Sequence, residues 1–195
     1  MIVASALVFV CSSLALAADP PPPPIVGGEP TSDYPAVGAL ATDGLEDFGY
    51  QDFFFCSGTL IAPDWVLTAA HCAVAMQDYY DKGVPSYQFF MGTNFNTSGG
   101  EIESVEVEEW YAHPDYDDNT LEHDLGLVHL VRDVTDVDPM MLNVDYVSLA
   151  WEGRDIIYVG FGATSDSQGG SGIKRWVSVP IAQVTGQDII TWDPG

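Results

Sequence analysis

Of the side chains able to shuttle a proton near neutral pH, the 195-residue sequence holds four histidines, and one stands in a setting that singles it out. His71 ends Thr68-Ala69-Ala70-His71-Cys72, directly after the apolar run Trp65-Val66-Leu67 and downstream of Cys56. An imidazole there is a candidate general base, because it takes and returns protons in the physiological range. Taken alone, such a residue is usually a structural or surface histidine. Asp124 heads a second apolar run, Leu125-Gly126-Leu127-Val128. A carboxylate in that position is costly to bury without a hydrogen-bond donor, and a histidine ring supplies one. Asp117, Asp118 and Asp133 are rival carboxylates, but their neighbours mark them as loop residues. His71, His113, His123 and His129 show no paired-ligand spacing with the cysteines, so no metal ligand is assigned.

The stretch from Cys56-Ser57-Gly58-Thr59 to Ala70-His71-Cys72 resembles the histidine motif of the chymotrypsin/trypsin-like serine proteases. Two further segments fit the same family. Ile25-Val26-Gly27-Gly28 resembles its mature N-terminus, and His123-Asp124-Leu125-Gly126-Leu127-Val128 resembles its aspartate motif, with His123 where asparagine is common. His113-Pro114-Asp115-Tyr116 is similar to an element that often precedes that aspartate, and Gly160-Phe161-Gly162 to the Gly-Trp-Gly turn opening the second half. The resemblance implies that His71 acts as base and then acid, that Asp124 orients it, and that Cys56 and Cys72 are bridged. It also implies polypeptide substrates and no cofactor. A serine nucleophile is implied too, yet no Gly-Asp-Ser-Gly-Gly occurs. Asp166-Ser167-Gln168-Gly169-Gly170 is not a match, since Gln168 stands where a glycine must follow the serine. In the Ser-His-Asp template the aspartate precedes the serine by roughly ninety residues. The nucleophile, the oxyanion amides and the specificity pocket are therefore expected beyond Gly195, and this chain alone is expected to lack turnover. The rival expectation is an inactive secreted homologue that acts as a binding protein.

Such residues need strands to hold them. Short apolar segments separated by turn-rich stretches predict an all-β chain, and the resemblance implies a double β-barrel with the first barrel present and the second incomplete. The expected strands are Val37-Ala41, Gly58-Ile61, Trp65-Ala69, Tyr87-Met91, Val105-Trp110, Leu125-Val131, Ile156-Phe161 and Trp176-Ile181. Leu125-Val131 reads as buried on both faces apart from His129. No amphipathic stretch of a dozen residues is evident, and Ala73-Tyr80 is read as a short helix. The glycines of Gly160-Phe161-Gly162 suit a tight corner.

Residues 1–18 read as an export signal, with an apolar run from Ile2 to Val10 and small-residue cleavage options at Ala15-Leu16-Ala17 and Leu16-Ala17-Ala18. Residues 19–24 form a proline-rich extended linker, and 25–195 a protease domain that stops before the nucleophile motif. Ile25 is the expected mature N-terminus; because Pro24 precedes it, tryptic activation is not expected. Loss of Cys11 with the signal leaves Cys56 and Cys72, which makes a disulfide the default in an extracellular chain. The sequence carries 29 acidic against 5 basic residues, a net charge of −24. That balance excludes nucleic acid and anionic membrane as partners, and suits either a solvated acidic surface or basic substrates. A monomer is expected. Asn96-Thr97-Ser98 is a formal glycosylation sequon, and Met91-Gly92-Thr93-Asn94 offers no carboxylate cage for calcium.

Overall fold

The computed structural model describes residues 28–45, 53–97, 101–164, 171–186 and 188–191. The expectations for the signal, the proline linker, Ile25 and Ser167 fall outside these residues. The elements in chain order are β1 (Glu29–Pro30), β2 (Val37–Asp43), β3 (Phe54–Ala62), β4 (Trp65–Thr68), α1 (Ala70–Asp81), β5 (Ser86–Gly92), β6 (Glu101–Ala112), β7 (Gly126–Leu130), β8 (Asp155–Gly160), β9 (Arg175–Val184) and β10 (Ile189–Thr191). All eight expected strands exist, and most run slightly longer than the apolar runs that signalled them. The architecture is all-β, with a single α-helix and a 3-10 turn at Leu149–Trp151 among the described residues.

Six antiparallel strands close into a barrel in the order β2-β3-β4-β7-β6-β5. Closure follows from alternation: every second side chain points inward, and Leu40, Leu60, Val66, Phe89, Met91, Val105, Val128 and Leu130 fill the interior. Each such side chain contributes about 1.5–3 kcal/mol on burial, and a closed sheet leaves no edge to aggregate. Outside the barrel, β9 pairs with β1, β8 and β10 in a four-stranded sheet, the incomplete second half. Phe161 joins the halves. Its N–H donates to Ser57 Oγ at 3.0 Å, and its fully buried ring meets Phe90 edge-on at 6.2 Å. Asn96 Nδ2 donates to Ser171 O at 2.8 Å, and the Lys174 N–H to Thr93 O at 2.8 Å, closing the same seam.

Two expectations need correction. The helix is longer than Ala73-Tyr80: it spans Ala70–Asp81 and includes His71 and Cys72 in its first turn. Its alanines favour helix, and only Ala70, Cys72, Ala73 and Met76 are buried, a stripe too thin to read as amphipathic. It ends at Lys82 before Gly83, whose φ of 99° suits glycine at a helix C-terminus. Second, β7 is not buried on both faces. Val128 and Leu130 point into the barrel, whereas Leu127 faces outward and is exposed, because a barrel wall has only one inner face. The chain does bend at Phe161, between the two glycines. Neither Gly160 nor Gly162 has a positive φ, and a Cβ on Gly162 would meet nothing within 4 Å. No described helix is long and apolar enough to cross a membrane.

Candidate active site

Strands β4 and β7 lie side by side, with Thr68 opposite Gly126 at their ends. The chain leaving β4 turns at Ala69 into α1, and the chain entering β7 arrives from a tight turn at Asp124. His71 and Asp124 therefore project from the same end of one strand pair. Gly126 makes the approach close enough: a Cβ there would stand 2.5 Å from Ala69 O and 3.3 Å from Ala70 N, so any side chain would push α1 away. The turn before it is equally specific. His123 has φ 57°, a left-handed conformation that asparagine and histidine tolerate better than most residues, and the Leu125 N–H donates to His123 O at 2.7 Å. The preference for asparagine at this position thus has a backbone cause, and His123 meets it.

Asp124 uses both oxygens on one residue. Oδ1 accepts the backbone N–H of His71 at 2.9 Å, and Oδ2 lies 2.8 Å from His71 Nδ1. The first bond does the work of a helix cap. Ala69, the N-cap residue of α1, has no side-chain oxygen to offer, so a free N–H of the first turn is satisfied by a carboxylate from a distant loop. The second bond fixes the ring, holding the proton on Nδ1 and leaving the Nε2 lone pair facing outward. Among the described residues nothing bonds to Nε2, and the His71 side chain is 45% exposed against 24% for Asp124. An imidazole so held accepts a proton from a hydroxyl placed at Nε2 and returns it afterwards.

Two of the three rival carboxylates are occupied elsewhere. Asp117 accepts the Asn119 N–H at 2.8 Å and its Nδ2 at 3.1 Å, bonds that hold its carboxyl below the usual range. Asp118 accepts from the Tyr116 hydroxyl at 2.9 Å; burial, then that bond and the charges of Asp118, Asp124 and Asp117, push the phenol up to about 12, so it remains a donor. Asp133 enters through its backbone oxygen, which accepts from Arg132. His129 lies on the outer face of β7 between Asp64 and Glu108, each 3.2 Å from a ring nitrogen. His113 stacks on His123 at 5.1 Å and closes the loop by donating its N–H to Leu125 O at 2.8 Å. The sequence reading gave no role to that stack or to Gly126; a glycine two residues after Asp124 was the only available signal.

Cys56 and Cys72 form a disulfide that ties β3 to the first turn of α1, beneath His71. Together with His71 they bring three ligand-type atoms within 4.8 Å of one another, but sulfurs bonded to each other offer a metal no thiolate.

The trypsin family model matches residues 25–188. The chain belongs to the trypsin family. Within that family, a trypsin of Simulium vittatum is 30% identical over 167 residues, covering 80% of this chain and 60% of that protein. A bacterial trypsin, from Saccharopolyspora erythraea, is 31% identical over 160 residues, covering 80% and 63%. Trypsin 5G1 of Aedes aegypti is 30% identical over 161 residues, covering 80% and 54%. This trypsin-family chain therefore spans between 54% and 63% of the length of these relatives. The solved structure of GrC superposes with a TM-score of 0.62 at 22% identity, over 82% of this chain and 66% of that one. The shared fold is the chymotrypsin-like one, with the second barrel partial.

Proposed function

We propose that this chain is the N-terminal part of a secreted serine endopeptidase, in which His71 is general base and then general acid and Asp124 orients it. The observation that carries the reading is the two-bond grip of Asp124 on the His71 backbone and ring, at 2.9 and 2.8 Å. In that scheme a serine hydroxyl gives its proton to His71 Nε2 and attacks the peptide carbonyl. The imidazolium that forms is stabilised by Asp124, and its proton passes to the leaving amine; water then repeats the cycle on the acyl-enzyme. The serine belongs to sequence following Gly195, which accords with the lack of any Gly-Asp-Ser-Gly-Gly in the chain and with its partial span of the relatives. Residues 1–18 serve as export signal, residues 19–24 as linker, and Ile25 becomes the new N-terminus. The substrates are polypeptides.

The absent motif equally suits a secreted homologue that binds without cutting, and one experiment separates the two. The transcript is read past codon 195 and its full product purified. The protease reading expects a Gly-Asp-Ser-Gly-Gly motif and peptide hydrolysis that both His71→Ala and a serine-directed phosphonate abolish. A stop codon after Gly195 in a transcript whose folded product is secreted would establish the binding protein instead.

A further inference from the structure

Cys56, Cys72 and His71 are the one trio among the described residues that gathers three metal-ligand atoms, one from each residue, all within 4.8 Å of one another. In the oxidised protein the two sulfurs are spent on each other. We propose that reduction of the Cys56–Cys72 bond by a dithiol turns this spot into a Cys2His site for a thiophilic divalent cation, zinc above all, with His71 as its nitrogen ligand. The chemistry balances: a reductant thiolate attacks the Cys56 sulfur, the disulfide electron pair leaves on Cys72, and the second reductant thiol displaces Cys56. The dithiol becomes a disulfide and the cystine two thiols, each of which yields one proton on binding the metal. Attack falls on Cys56 because it is half-buried while Cys72 is 3% exposed.

The geometry favours capture over mere coexistence of two thiols. Once unbonded, the sulfurs must separate to van der Waals distance, and two thiolates at about 2.3 Å from a tetrahedral zinc stand about 3.8 Å apart, which is the same spacing. The cysteine Cα atoms, 6.1 Å apart, allow that separation by side-chain rotation. Sulfur and imidazole nitrogen stand about 3.6 Å apart around zinc, and a ring nitrogen of His71 already lies within 4.8 Å of both sulfurs. Asp124 holds Nδ1 and leaves Nε2 for the metal, the carboxylate–imidazole–metal arrangement that fixes ring orientation and raises ligand basicity. The supports are firm: Cys56 lies in the closed barrel, and Cys72 and His71 are adjacent in α1. Water completes the four ligands, as in other Cys2His sites. Occupancy withdraws His71 from proton transfer. That consequence rests on the catalytic reading, whereas metal binding does not, and hydrolysis is not needed to detect it.

The test uses the whole chain carrying Cys11→Ala, reduced with dithiothreitol and freed of it anaerobically, titrated with zinc against a chromophoric chelator and, separately, with cobalt(II) for its visible bands. One equivalent bound by the reduced chain, none by the oxidised chain, at least tenfold weaker binding after His71→Ala, and tetrahedral cobalt bands are the expected results. Equal binding by the oxidised chain overturns the proposal. So does undiminished affinity in His71→Ala, which would mean that the thiols alone, folded or unfolded, hold the metal. Far-ultraviolet circular dichroism covers the remaining case: a reduced chain that is unfolded and stays unfolded with zinc refutes the site.

Discussion

Lys174 is a buried cation, and removing its charge makes a quantitative prediction. Its side chain is fully buried, Nζ donates to Tyr34 O at 3.1 Å, and the Phe161 ring lies 5.9 Å away. Among the described residues no carboxylate pairs with it. Desolvation lowers its pKa from 10.5 to about 8. The folded state therefore binds fewer protons than the unfolded state between about pH 8 and 10.5, and stability rises with pH across that window. Below pH 8 both states are protonated and the cost of the buried charge is present in full. At 1.36 kcal/mol per unit, the shift amounts to about 3 kcal/mol. Lys174→Met removes that cost and one of the two hydrogen bonds that Tyr34 O accepts, the other coming from the Val37 N–H at 3.0 Å, a loss of about 1 kcal/mol. The variant is thus expected to be about 2 kcal/mol more stable than the parent at pH 7, with the advantage falling to zero or below by pH 10. Urea unfolding followed by tryptophan fluorescence, at unit steps from pH 7 to 10, measures the difference directly. Tyrosines that titrate higher cancel between the two proteins. A variant less stable than the parent at pH 7, by a margin independent of pH, would refute the reasoning, because it would mean that the ammonium is paired.

Glu103 gives the opposite sign. Burial alone would raise its pKa, but Arg132 and the N–H groups of Asp136 and Thr135 outweigh it and hold it low, so its contribution is present above about pH 4.3 and disappears as pH falls through its folded pKa. Glu103→Gln is expected to cost about 1–3 kcal/mol at pH 7 and progressively less below pH 4, read from thermal unfolding across that range. Gly126→Ala forces the start of α1 away from β7 and is expected to cost about 2–3 kcal/mol, an overpacking penalty. The same variant should abolish the downfield proton resonance of the His71 Nδ1–H, and a resonance that persists unshifted would show that Gly126 does not set the spacing.

What could be read from the sequence followed physical scale. The barrel strands were legible because a wall with one wet face imposes alternation at every second residue, as in Tyr87 and Phe89 against Ser86 and Gln88. Their ends were less so, since pairing rather than local composition extends β3 back to Phe54, opposite Ala41. The same limit explains β7: four apolar or small residues in a row, Leu125 to Val128, look two-sided, and only the position of β7 in the barrel turns Leu127 outward. The site's residue types were legible as a motif, because small Ala69 and Ala70 beside His71 and Cys72 form a combination that packing and chemistry both restrict.

The start of α1 was illegible for a deeper reason, and that reason bears on how the site is made. A search for a cap looks a few residues around the first turn and finds only Ala69; the group that caps the helix is 53 residues away in sequence. One carboxylate thus performs two tasks that are usually separate: it satisfies the helix N-terminus through Oδ1 and it orients the ring through Oδ2. Because both bonds end on the same residue, a helix that docks correctly has also aligned its imidazole, and a ring out of place leaves a helix N–H unpaired. The elements that enforce this, β4, α1, Gly126 and the turn at His123, all belong to the first barrel or its connections. Fidelity of the histidine–aspartate pair is therefore coupled to the folding of that barrel, so the proposed protease reading asks of the second half only what acts on the exposed Nε2 side.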